Sequence, residues 1–224
     1  MAPASRGREW KLERHEQILQ AAFEQFAAKG YAETRIDDVA RSAGIAKGTI
    51  YLYFKDKQRL FRAVLRGMTH HFFEELEPFV KTFPGPATEL VGKIVERQYA
   101  ELVKNPNARS MFRLLIAEGH RFPELSEAYF HEVIEPGIAA MRTILDKGTA
   151  AGEFRQTKMA EFPQIFAGPA VLAVIWTLIL GDRKPLDFDA YMAAHVDLLL
   201  HGLTNTNEGA PGRTGNALVE GEIP

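Results

Sequence analysis

The chain has 224 residues (25.1 kDa), 46% of them hydrophobic and 25% charged, with a net charge of −2. That is ordinary for a soluble globular protein with one large or two small domains, and the absence of cysteine excludes disulfides, thiol catalysis and thiolate metal sites and suits a reducing compartment. Residues 1–57 carry ten Lys/Arg against eight Asp/Glu and residues 58–224 seventeen against twenty-one, an asymmetry that permits a nucleic-acid face at the N-terminal end without demanding one.

Residues 1–9 are small, polar and basic, and read as loose. No apolar run follows them, so a secretory leader is not expected and a cytoplasmic location is. From Trp10 to Lys29, Ile18, Leu19, Ala22, Phe23 and Phe26 form the stripe of an amphipathic helix, which Gly30 stops. Thr34 fits the N-cap of a second helix, with Asp37 three residues on as an approximate capping box and Asp37 and Asp38 favouring the first turn. Ile36, Val39, Ala40 and Ala43 make its inward face, and Gly44 supplies a left-handed residue at its end. Ile45 plugs the turn, and a third short helix runs from Lys47 to about Phe54. On it Ile50 and Phe54 point inward, Gly48 and Leu52 lie opposite, and Lys47, Thr49, Tyr51 and Tyr53 flank them. Tyr, Leu and Tyr suit open water poorly and a groove well.

Asp56 caps a long helix carrying Leu60, Phe61, Val64, Leu65, Met68, Phe72, Phe73, Leu76, Phe79 and Val80, which Pro84-Gly85-Pro86 ends. Further helices are expected over Ala87–Val103, Ala108–His120, Ser126–Gly152 with Pro136 kinking or splitting it, Ala160–Gly181 and Phe188–Leu203. Strand signals are almost absent, and residues 204–224 read as a disordered tail. The expected organisation is a helix-turn-helix domain over 1–57, a helical effector-binding and dimerisation domain over 58–203, and the tail.

The run Ile18-Leu19, Ala22, Phe26, Gly30-Tyr31, Ile36, Val39-Ala40, Ala43-Gly44, Lys47-Gly48-Thr49-Ile50-Tyr51, Tyr53-Phe54 and Lys57 resembles the N-terminal domain of TetR-type transcriptional regulators. The match spans about forty residues; behind residue 60 the likeness is architectural. The resemblance implies a dimer, a three-helix DNA-binding domain, and a roughly six-helix domain whose pocket takes a small effector. It places Lys47, Gly48, Thr49 and Tyr51 on the base-facing part of the recognition helix, Tyr53 and Lys57 at positions that hold phosphate, and Thr34 at the helix-start contact. The chemistry agrees. Gly48 lets the backbone approach the groove floor, Lys47 can donate to guanine O6 and N7, and Tyr51 or Thr49 can meet a thymine methyl. Thr34, Tyr53 and Lys57 can anchor phosphates, which fix register without reading sequence. Leu52 completes the outer face. The competing account makes the tyrosines core aromatics and the lysines a solvated surface. One departure is Ala46, where the family often has Ser or Thr, and alanine is the weaker cap.

Behind the motif, Phe72, Phe73, Phe112, Phe130, Phe166 and Trp176 could line an effector pocket or simply fill a core. Ala108–His131 mixes aromatics with Arg113, His120, Arg121 and His131, as a pocket with a few polar groups or a half-wet helix pair would. His71 and Glu75 have i, i+4 spacing beside His70, but no third ligand converges, so no metal is expected. Phosphate-loop, dinucleotide and nucleophile-elbow motifs are absent, which leaves an enzyme without positive support. Phe162–Gly181 is twenty residues without a charge. Pro163, Gln164 and Gly168-Pro169 argue for a helix at a core or subunit interface over a membrane span, with Ala170, Val171, Val174 and Leu178 as the interface candidates.

The sequence thus reads as an all-α, homodimeric, cytoplasmic DNA-binding regulator without cofactor. It is expected to be a repressor released from a palindromic double-stranded operator by a small, largely apolar ligand. The alternative is a helical small-molecule-binding or enzymatic protein whose front helices are structural.

Overall fold

The computed structural model describes residues 3–204, with the side chains of residues 3–9 and 11 left aside. Every regular element among the described residues is helical, as the patterning predicts. α1 (Pro3–Glu33) begins at Pro3, where loose chain was expected, and buries Ile18, Ala22 and Phe26. Gly30 breaks it at φ 82° and ψ 170°, a conformation essentially confined to glycine that costs a residue with a Cβ about 1–3 kcal/mol. α2 (Ile36–Ser42) follows, Gly44 turns the chain at φ 64°, and α3 (Lys47–Tyr53) packs inward through Ile50. The expected start of α2 is corrected. Arg35 is its N-cap and makes no side-chain cap bond, while the Thr34 hydroxyl donates to the carbonyls of Gly30 and Gln25 at 2.6 and 3.1 Å.

α4 (Lys57–Thr82) starts where the carboxylate of Asp56 accepts from the amide of Arg59 at 2.7 Å. α5 (Ala87–Gln98) passes into a π-helical turn over Tyr99–Lys104, and α6 (Pro106–Glu118) leads to α7 (Pro123–Tyr129). The stretch expected to be one disturbed helix is α7, a π-helical turn over Phe130–Ile134, and α8 (Glu135–Ala150). Pro136 is the cause. It has no N–H for the carbonyl of Glu132, four residues back, and that carbonyl instead accepts from Thr69 Oγ1 of α4 at 3.4 Å. α9 (Gly168–Leu180) follows a 3₁₀ turn over Pro163–Ala167, and α10 (Phe188–Leu203) is capped by Asp187. The tail expected over 204–224 lies, beyond Thr204, outside the described residues.

Two cores hold the helices together. The front core joins Ile18, Phe26, Tyr31, Val39, Ile50 and Phe61, and draws in Met111 and Leu114 of α6 and Leu125 of α7. The rear core is built on Leu76, Leu90, Ile94, Tyr99, Ile144, Phe166, Val174 and Leu199. α4 contributes to both, so the three front helices rest on the body through a shared packed interior.

Candidate nucleic-acid interface

α3 is short, and what fixes it is its buried side. Ile50 is fully buried, Phe54 follows it into the front core, and the ring of His15 lies 5.4 Å from Phe54. A helix pinned along one side presents the other to solvent. Leu52 is 83% exposed and Tyr51 47%, so two large side chains stand side by side in solvent. Gly48 lies between them on the open face, where an added Cβ would meet nothing within 4 Å. Thr49 and Tyr53 are half-buried at the flanks. The helix starts at Ala46 without a side-chain cap, its first turn closed by the Thr49 amide donating to the Ala46 carbonyl at 2.9 Å.

The cations around this face are of two kinds. Lys47 lies on the surface with Nζ 2.9 Å from the carboxylate of Asp37, which raises its pKa through that hydrogen bond. Asp38 is held below the usual carboxylate range by its hydrogen bond from Lys29, with Arg41 also beside it. Lys57, by contrast, is turned inward. Its ammonium donates to the carbonyls of Tyr31, Ala32 and Thr34 at 2.7, 3.3 and 3.1 Å and sits 4.4 Å from the Tyr31 ring centre. Burial lowers its pKa, opposed by Glu118, Glu124 and Glu33.

Two expected phosphate anchors are therefore corrected. Thr34 is 1% exposed with its hydroxyl spent on carbonyls, and Lys57 spends its charge on the backbone between α1 and α2. Both belong to the support of α3 rather than to its outer surface. Sequence reasoning passed over Arg35, exposed at the start of α2, and Lys55, exposed just after α3. Charge was the only signal either offered.

The six aromatics expected around an effector do not converge. Phe166 is fully buried in the rear core, Phe72, Phe73 and Phe112 pack against it, and Trp176 donates its indole N–H to the carbonyl of Lys184 at 2.7 Å on the surface. Of the six, Phe130 lines an open groove of about 520 Å³ with Leu115, Ser126, Glu127, Tyr129, His131 and Ile134. Two of the interface candidates are also corrected. Ala170 and Val174 are fully buried within the protomer and Val171 and Leu178 partly so, whereas Leu172, Ile179 and, on α10, Leu198 are 52%, 71% and 64% exposed. The uncharged run marked α9 as a helix of a core or subunit interface but not which side its own core would take.

Comparison with known proteins bears on this arrangement. Residues 18–64 match the family model for bacterial regulatory proteins of the tetR family, and residues 93–197 match that for the C-terminal domain of AefR-like transcriptional repressors. The chain is 25% identical to the fatty acid metabolism regulator protein of Bacillus subtilis over 87% of its own length and 98% of that protein's. It is 29% identical to the HTH-type transcriptional repressor KstR2 of Mycolicibacterium smegmatis, covering 63% of this chain and 68% of the relative. Its fold superposes on the B. subtilis transcriptional regulator FadR in complex with stearoyl-CoA with a TM-score of 0.65 at 25% identity, over 84% of this chain and 98% of that one. With the fatty acid degradation regulator FadR of Bacillus halodurans the TM-score is 0.70 at 23% identity, over 84% and 95%.

Proposed function

The chain belongs to the TetR family of DNA-binding transcriptional regulators, and from that premise we propose that it is a repressor which a small, largely apolar ligand releases from a palindromic operator. The observation that carries the reading is the outer face of α3, where Gly48, Tyr51 and Leu52 stand in solvent on a helix anchored by Ile50. Tyr51, Leu52 and Thr49 offer apolar contact to thymine methyls, and Lys47 can exchange Asp37 for guanine O6 and N7. Arg35, Lys55 and Tyr53 are the proposed phosphate anchors.

The apolar groove beside Phe130 is the proposed effector site, and a long-chain acyl compound is the class it suits. Leu115, Tyr129, Phe130 and Ile134 supply the apolar wall. The structural relative bound to stearoyl-CoA supports the same class. The exposed Leu172, Ile179 and Leu198 are proposed to meet their equivalents in a second copy, since a self-complementary apolar patch is what a two-fold dimer requires. Such a dimer would work in the cytoplasm.

Fluorescence anisotropy on duplexes from the region flanking the gene tests the reading helix. Tyr51→Ala should reduce discrimination between the preferred duplex and a scrambled one by about tenfold, the worth of one good base contact. Wild-type protein that binds both duplexes equally would sink the proposal.

A further inference from the structure

α6 ends on a glutamate, and a carboxylate is poorly placed there, because the last turn of a helix already carries unpaired carbonyls and partial negative charge. Glu118 reaches out of that environment. Its two oxygens accept from the backbone amides of Tyr31 and Ala32 at 2.9 and 2.8 Å, across 87 and 86 residues of chain. The ψ of 170° at Gly30 rotates the Gly30–Tyr31 peptide out of the α1 ladder and turns the Tyr31 N–H toward α6. Glycine is needed there twice. Its φ is 82°, and an added Cβ would overlap Glu118 Oε1.

The opposite side of the same turn is held by α4. Lys57 takes the carbonyls of Tyr31, Ala32 and Thr34, so the amides of this short segment face an acid of α6 and its carbonyls a base of α4. The Tyr31 ring fills the space between them, edge-on to Phe61 of α4 and Phe122 at 5.5 and 5.2 Å, and its hydroxyl lies 3.4 Å from Glu124. The segment is the link between α1 and the reading pair α2–α3. Its orientation therefore sets the orientation of α3 relative to the body.

We propose that Glu118 is a positioning residue for DNA reading: by gripping the Tyr31 and Ala32 amides it sets the angle at which α2 and α3 leave the body. The proposal rests on the DNA-reading function above and adds the contact through which the rear of the molecule governs it. Leu115, one turn before Glu118, lines the groove beside Phe130. Ser126 lines it too, and its hydroxyl donates to the carbonyl of Gly119 at 2.9 Å. Filling that groove bears directly on the helix end that carries the grip.

The test uses Glu118→Gln in the full chain, which keeps the side-chain length but replaces one acceptor oxygen with an NH2 donor. Operator-flanking and scrambled duplexes are titrated by anisotropy at several salt concentrations, and amide exchange is followed at Tyr31 and Ala32. The expected result is faster exchange at those two amides and about tenfold weaker binding to the preferred duplex, within the range typical of coupling between sites. The salt slope should not change, because no phosphate contact is lost. Wild-type affinity together with loosened amides, or unchanged exchange at both, would overturn the proposal, as would a lowered melting temperature with DNA binding intact. Should Glu118→Gln not fold, the wild type still decides. Operator DNA must slow exchange at Tyr31 and Ala32 if grip and reading are coupled, and unaltered exchange refutes it. A wild type with no preference between duplexes removes the underlying function instead, and is seen separately in the same titration.

Discussion

Lys57 hydrogen-bonds three backbone carbonyls across more than twenty residues of chain, so its charge acts on the fold before it acts on any ligand. Lys57→Met keeps the aliphatic stem and removes the donor. It should cost about 1–3 kcal/mol, the worth of a partly buried charged hydrogen bond, read as a lower denaturation midpoint. The salt slope of DNA binding should stay at its wild-type value, whereas neutralising Arg35 or Lys55 should lower that slope by about one unit each. A Lys57→Met protein of normal stability with a flattened salt slope would return Lys57 to the phosphate face. Residues whose work is local were legible in the sequence. Gly30 and Gly44 stop helices, Asp56 caps α4, and Ala46 fails to cap α3, because such effects act within three or four residues. Thr34 and Lys57 were not, because the carbonyls they serve are gathered only when Gly30 folds the end of α1 back.

Among the elements, α3 and α10 lie where the patterning puts them, and α2 starts one residue after the Thr34 cap would place it. α8 shows where such reading stops. Pro136 announces a disturbance, but not that it takes the form of a π-helical turn over Phe130–Ile134 packed against Thr69 of α4. α9 shows the same limit. The segment Pro163–Leu180 has a mean hydropathy of 1.8 with 28% of it buried, so apolar side chains are in excess on every side and periodicity cannot assign the faces. Only the packed core reveals that Ala170, Ala173 and Val174 are taken and Leu172 and Ile179 are not. Ile179→Glu should therefore convert dimers to monomers in sedimentation equilibrium while the far-ultraviolet helical signal is unchanged. A variant that sediments like a dimeric wild type would move the interface elsewhere.

For the molecule as a whole, the central feature is that the reading head is not loosely tethered. Its core includes Met111, Leu114 and Leu125 from the body, the Tyr31 ring is wedged among Phe26, Phe61 and Phe122, and Glu118 and Lys57 hold the same backbone turn from two sides. In the proposed two-fold dimer a head held this firmly would transmit the separation of the protomers into the separation of two α3 helices. In a two-fold dimer these should enter successive major grooves about 34–36 Å apart, so spacing between half-sites matters as much as their sequence. The decisive measurement is the affinity of the full chain for a palindromic duplex from the region flanking the gene, compared with the same duplex carrying five extra base pairs at its centre. Two protomers should bind the first, and the insertion, which turns the second half-site to the far side of the helix, should weaken binding toward the non-specific level, about a thousandfold. Equal affinity for both duplexes would contradict a dimeric, sequence-reading regulator.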